Sequence, residues 1–239
     1  MVFLRNIFRS LAVGAFFVAA LAASAAPANV LVRVPAGQAM PAGLAPLLSE
    51  WRQSGRISGV LWLTQGRSEK PERTAKFEAL AVLEFSSERA CETWQSESAR
   101  RLPAGLIARR VDVLAHGELP TSDHRQSVFV VNTYTPKVPA ARFNEFVQGY
   151  VKPLYEAMRG TGHLVRYTAY LERGAEGETD ALNVLEYRDA AAFGAVTKIK
   201  TALRDQVAAT VPTYAEFDRI KDTLRLDGFG TTATFTIVP

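Results

Sequence analysis

One stretch of this chain occurs twice. Leu80-Ala81-Val82-Leu83-Glu84-Phe85 returns 102 residues later as Leu182-Asn183-Val184-Leu185-Glu186-Tyr187. The surroundings repeat with it. Leu44, Leu47, Leu48 and Trp51 have the i, i+3, i+4, i+7 spacing of one helix face, and Phe143, Phe146, Val147 and Tyr150 have the same spacing 99 residues later. A β-branched run precedes each helix, Val30–Val34 and Val128–Val131. A strand pattern follows each, with Val60-Leu61-Trp62-Leu63-Thr64 set against Leu164-Val165-Arg166-Tyr167-Thr168. Ser87 and Asp189 then stand at helix N-cap positions. Ala90, Cys91 and Trp94 lie on the apolar face of one helix, and Ala192, Phe193 and Val196 on that of the other. Each copy closes on an alternating strand, Val111 and Val113 in the first, Ala233, Phe235 and Ile237 in the second.

The order is therefore β-α-β-β-α-β, twice, the split βαβ or ferredoxin-like arrangement. Such a unit carries both helices on one face of a four-stranded antiparallel sheet. The other face needs cover, and a second copy in the same chain supplies it. The expected fold is α+β, with two tandem ferredoxin-like units forming an intrachain pseudo-dimeric barrel. Repeat one is placed at 27–120 and repeat two at 121–239, with an extra helix near 213–226. The internal pseudo-dimer makes a monomer the expected state.

This pattern resembles the dimeric α+β barrel superfamily, which includes antibiotic-biosynthesis-type monooxygenases, EthD-like and NIPSNAP-like domains. The residues that carry the resemblance are the two Val-Leu-Glu-[Phe/Tyr] strands, the capped helix after each, and the element order. That superfamily is defined by fold more than by motif. Its members include oxygenases, haem-handling enzymes and isomerases, so the fold does not choose a chemistry.

The amino terminus reads as a secretory signal peptide over residues 1–25. Arg5 and Arg9 precede a twelve-residue apolar run, Leu11–Ala22, and Ala23-Ser24-Ala25 is a small-x-small cleavage site. The apolar run is short of the ~20 residues that span a bilayer. The expectation is a periplasmic or secreted protein with no membrane attachment after cleavage. Removing the two arginines from 28 basic residues, against 24 acidic ones, leaves a net charge of +2. Neither repeat concentrates positive charge, so no nucleic-acid partner is expected. A single cysteine, Cys91, excludes an internal disulfide, and its place on an apolar helix face makes it a core residue.

Strand alternation predicts which side chains look into the barrel. Glu84 and Val82, with Glu186 and Val184, should face inward because Leu83 and Phe85 lead into the helix. Arg166, Thr168 and Tyr170 form the inward row of the preceding strand. Pairing Arg166 with Glu186 sets Tyr170 opposite Leu182 and leaves a turn over 172–180. The matching pair in repeat one is Trp62 with Glu84. Arg166, Glu186, Tyr170, Trp62 and Glu84 are therefore the candidate ligand-binding residues. The glutamates carry alternative readings: a general base or anchor, a buried charge neutralised by Arg166, or residues at an exposed barrel mouth.

Other motifs point to little. His116 and His124 flank the linker without metal-ligand spacing, and no metal is expected. His163 opens a strand, where a rim position would allow acid–base work or, in a haem-handling variant, ligation. Gly160-Thr161-Gly162 and Gly228-Phe229-Gly230 do not join a strand to a helix, so no nucleotide is expected. No cofactor is expected at all. Asn132, Tyr134 and Asn183 resemble the polar side chains with which oxygenase barrels hold substrate, although Asn183 falls in the helix-facing row. The favoured function is binding of a small, partly apolar molecule between the sheets. The alternatives are a cofactor-independent oxygenase- or isomerase-like enzyme in the same cavity, and a filled barrel acting as a protein-interaction module through an apolar patch such as that around Phe217.

Overall fold

The structure is a computed structural model that describes residues 27–65, 77–120, 124–174, 179–227 and 233–237. The expected signal peptide and most of the turn between the second and third strands lie outside the described residues. Repeat one contains β1 (Ala28–Pro35), α1 (Leu44–Gln53), β2 (Gly59–Gln65), β3 (Phe77–Phe85), α2 (Glu88–Glu97) and β4 (Ile107–Glu118). Repeat two contains β5 (Val128–Pro136), α3 (Ala140–Phe146), a π-helical turn (Val147–Val151), α4 (Lys152–Gly160), β6 (Leu164–Glu172) and β7 (Ala181–Tyr187). It continues with α5 (Ala190–Gly194), α6 (Val196–Thr210), α7 (Pro212–Leu224), β8 (Arg225–Asp227) and β9 (Ala233–Ile237).

The strand order is β4-β1-β3-β2 in one half and β9-β5-β7-β6 in the other, all antiparallel. This is the ferredoxin-like order twice. The pairs β4–β6 and β2–β9 join the halves and close eight strands into a barrel. Closure inside one chain leaves no long unpaired edge. Short β8 adds to the end of β5.

The local signals behave as their chemistry requires. Ser87 Oγ accepts a hydrogen bond from Ala90 N at 3.1 Å, and Asp189 accepts one from Ala192 N at 2.7 Å. Each cap satisfies an amide that the first helical turn leaves open. Leu44, Leu48 and Trp51 of α1 and Cys91 and Trp94 of α2 are buried over repeat one, with the two indoles edge to face at 5.3 Å. Repeat two buries Phe143, Phe146, Tyr150, Tyr155 and Tyr167 beneath its helices. A third core fills the middle of the barrel, with Leu31, Leu63, Leu80 and Val82 meeting Phe129, Val131, Tyr170, Leu182 and Val184 from the other half.

The added helix α7 packs on the π-helical turn. Tyr214 stacks on Tyr150 at 4.7 Å, and the Phe217 ring lies so close to Gly149 that a Cβ there would meet it at 2.6 Å. Phe217 is thus core, so the extra helix does not offer it as an exposed apolar patch.

Two registers decide what faces inward. In β6–β7 Arg166 lies opposite Glu186, Thr168 opposite Val184, Tyr170 opposite Leu182 and Leu171 opposite Ala181, as period two predicts. In β2–β3 the expected pair is not formed. Gly59 lies opposite Glu84, Leu61 opposite Val82 and Trp62 opposite Ala81. Trp62 therefore packs beneath the helices of repeat one, while Leu61 and Leu63 line the barrel. The residue equivalent to Arg166 is Gly59, three positions before Trp62. An odd offset exchanges the two faces of a strand. Packing favours this outcome, because the helix side accepts an indole among Trp51, Cys91 and Trp94, whereas the barrel interior already holds Phe129 and Tyr170.

Candidate functional site

The barrel interior has two unlike ends. At one set of strand ends the Arg33 guanidinium pairs with the Glu172 carboxylate, and its other nitrogen lies 3.4 Å from Asp180. Arg33 and Glu172 are both buried, and burial raises the Glu172 pKa against the opposing pull of Arg33. This cluster spans the two repeats and lies beneath the apolar layer. Above the layer, at the other strand ends, the barrel opens into a cavity of about 790 Å³.

The cavity floor is apolar, formed by Leu61, Val82, Val111 and Val184 with the ring of Tyr170. Its wall carries charge. Arg166 Nε lies 2.9 Å from Glu186 Oε2, and Ser127 Oγ donates to Glu186 Oε1 at 2.7 Å. Glu186 is 1% exposed. The Arg166 guanidinium also sits 5.7 Å from the centroid of Phe129. A carboxylate this deep is tolerated because a guanidinium lies in ion-pair contact with one oxygen and a hydroxyl donates a hydrogen bond to the other. Burial pushes the Tyr170 phenol up to about 12; the nearby Glu84 carboxylate adds to the shift, while Thr168 and Arg166 oppose it. Tyr170 is thus a neutral hydrogen-bond donor at physiological pH.

Four of the five residues singled out from the sequence line this cavity: Arg166, Glu186, Tyr170 and Glu84. Trp62 does not, for the register reason given above. Glu84 differs from its counterpart Glu186 in being exposed, and its carboxylate makes no ion pair or hydrogen bond among the described residues, although its backbone carbonyl accepts from Ser58 N at 2.8 Å. Its carboxylate overlies Gly59, where a Cβ would require the flexible carboxylate to swing aside. Asn183 bonds Tyr155 at 3.2 Å beneath the helices, Asn132 lies opposite Asn183 on the same face, and Tyr134 packs with that cluster. None of the three enters the cavity. His163 does not line it either; its Nδ1 lies 3.0 Å from Thr161 Oγ1 in a turn.

The structure adds His116, Thr168 and Glu118. His116 Nδ1 lies 2.9 Å from Thr168 Oγ1, and its Nε2 is 3.9 Å from Glu118. Thr168 was already in the inward row. His116 and Glu118 reach the cavity because β4 carries a β-bulge between Val113 and Ala115. The bulge turns Ala115 under the helices and His116 and Glu118 inward. Simple alternation from Val111 hides this.

No family model and no curated protein matches the chain. Among solved structures, an anthrone oxidase-like protein is 12% identical, with 89% of this chain and 91% of that chain covered at a TM-score of 0.51. A candidate monooxygenase from Fusobacterium nucleatum is 13% identical, with 90% and 94% covered at a TM-score of 0.49. Another from Lactobacillus acidophilus is 10% identical, with 88% and 93% covered at 0.47. At this level of identity the likeness is one of fold, the α+β barrel.

Proposed function

We propose that this protein binds a small, partly apolar molecule in the barrel mouth between its two repeats. The observation that carries this reading is the cavity itself. It combines an apolar floor with a few convergent polar groups, the usual make-up of a ligand pocket. Arg166, Glu186, Tyr170 and Glu84 are the contact residues of this reading, with His116 and Thr168 beside them. The terminal sequence supports export, with cleavage after Ala25, and among the described residues no helix is long and apolar enough to cross a membrane.

The test is a fluorescence titration with the neutral probe N-phenyl-1-naphthylamine. Saturable enhancement at one probe per chain is expected, and it should vanish in Leu61→Trp, which fills the floor. Absence of saturation, or an unchanged titration in that variant, overturns the reading.

A second reading is a cofactor-independent oxygenase- or isomerase-like reaction in the same cavity. The name of the anthrone oxidase-like neighbour suggests it, and His116 favours it. An imidazole hydrogen-bonded to Thr168 and opening on the cavity is placed to accept a proton from a bound substrate. In that case His116→Gln retains probe binding and loses turnover of a substrate found by screening.

A further inference from the structure

Repeat two shows how this barrel holds an inward glutamate. On β7 Glu186 has Arg166 as its register partner on β6, and the two are ion-paired. Repeat one has the same glutamate at the same place. Glu84 stands on β3, the counterpart of β7, and its register partner on β2 is Gly59. The neighbouring positions correspond in both halves, with Leu61 and Leu63 facing Val82 and Leu80 as Thr168 and Tyr170 face Val184 and Leu182. Repeat one therefore keeps the carboxylate and lacks the cation, and the cavity lies where the cation would be.

Most of the other charges of the mouth are compensated among the described residues. Arg173 lies 2.6 Å from Asp112 and 2.9 Å from Glu88, and Arg110 also pairs with Glu88. Arg166 pairs with Glu186 and is the register partner of Glu118, which also has His116 nearby. Among the described residues Glu84 is the mouth carboxylate with no side-chain partner, above Leu61, Val82 and Val111.

We propose that the ligand of this cavity is a small amphipathic cation, a guanidinium or ammonium on an apolar body, whose head group pairs with Glu84 as Arg166 pairs with Glu186. This rests on the ligand-binding reading above and adds the charge class to it. The apolar body lies on the floor, and the head group supplies the positive charge that Gly59 omits. An anionic ligand of the same shape meets Glu84 and Glu118, and among the described residues no unpaired cation lines the cavity. A partly enclosed, charge-assisted pair strengthens the contact relative to one in open water.

The experiment is calorimetric titration of the full-length protein with three compounds of similar shape: phenethylguanidinium, phenethyl alcohol and 3-phenylpropionate. The guanidinium is expected to bind about tenfold or more tightly than the alcohol, and the carboxylate more weakly than either. In Glu84→Gln, an exposed substitution that leaves the fold intact, the guanidinium falls to the level of the alcohol. Gly59→Arg supplies the cation internally, and it too should erase the preference. Equal binding of guanidinium and alcohol by the wild type, or a preference that survives in Glu84→Gln, overturns the charge class while leaving the pocket reading intact. Tighter binding of the carboxylate overturns it as well. Failure of all three compounds to bind overturns both.

Discussion

The two halves of this barrel begin from one sequence pattern and end with opposite electrostatics. In repeat two an arginine and a hydroxyl seal Glu186, which is buried. In repeat one the equivalent Glu84 stands exposed over a glycine. The difference lies in the position opposite the glutamate, not in the glutamate itself. A duplicated unit can keep its backbone and core while one side-chain position divides the copies into a structural half and an open half. Repeat two is also the more heavily covered half, since α7 lies on its π-helical turn through Gly149 and Phe217.

The sharpest way to break this comparison is to remove the cation that repeat two already has. Arg166→Met removes the countercharge of a buried carboxylate and should cost about 3–5 kcal/mol of stability, measured by urea denaturation. A loss under about 1 kcal/mol would mean that the carboxylate of Glu186 does not depend on Arg166. Trp62→Ala is expected to cost a comparable 3–5 kcal/mol, because it leaves a hole beside Trp51 and Trp94. Probe affinity should nevertheless stay within about twofold, since the indole lies on the helix side. A large loss of binding in a stable variant would return Trp62 to the site.

Tyr170 gives a smaller effect and a pH dependence. Its counterpart in repeat one is Leu63, which cannot titrate. A phenol whose pKa in the folded state is about 12 lies above its unfolded value of 10. The native state then holds the proton more tightly, so this stability is complete below pH ~10 and lost as pH rises through ~12. Two pKa units correspond to about 2–3 kcal/mol. The stability difference between wild type and Tyr170→Phe should shift by that amount over the window, with the wild type losing ground. A constant difference would mean that the phenol is not desolvated. The smallest effect is expected at Glu84. Glu84→Gln should change stability by no more than about 0.5 kcal/mol, in contrast to several kcal/mol for disrupting the pair in repeat two. An equally large loss would show that Glu84 has an internal partner and that the halves are alike.

Much of the fold was legible because its signals are local and occur twice. The helix faces at Leu44–Trp51 and Phe143–Tyr150, the caps at Ser87 and Asp189, and the paired Val-Leu-Glu strands each stand on a few adjacent residues. The Arg166–Glu186 pair was legible too, because one hairpin and period two suffice to place it. The site was read less completely. Aligning Trp62 with Arg166 by apolar pattern put an indole in the cavity, because Val-Leu-Trp-Leu-Thr offers apolar side chains to both faces and cannot show its own offset. His116 and Glu118 were missed because one bulge in β4 reverses the alternation after Val113.

The sequence by itself determined the duplication, the order of elements, the helix ends and the inward direction of Glu84 and Glu186. Those features depend on short-range spacing and on the helix that follows each strand. Tertiary structure decided which residue of β2 meets Glu84, where β4 bulges, and that one end of the barrel is closed by Arg33 and Glu172 while the other stays open. These depend on strand register across the closed sheet. Register is set by the packing of two helical layers and one shared interior at once, and a shift of one residue exchanges wall for core.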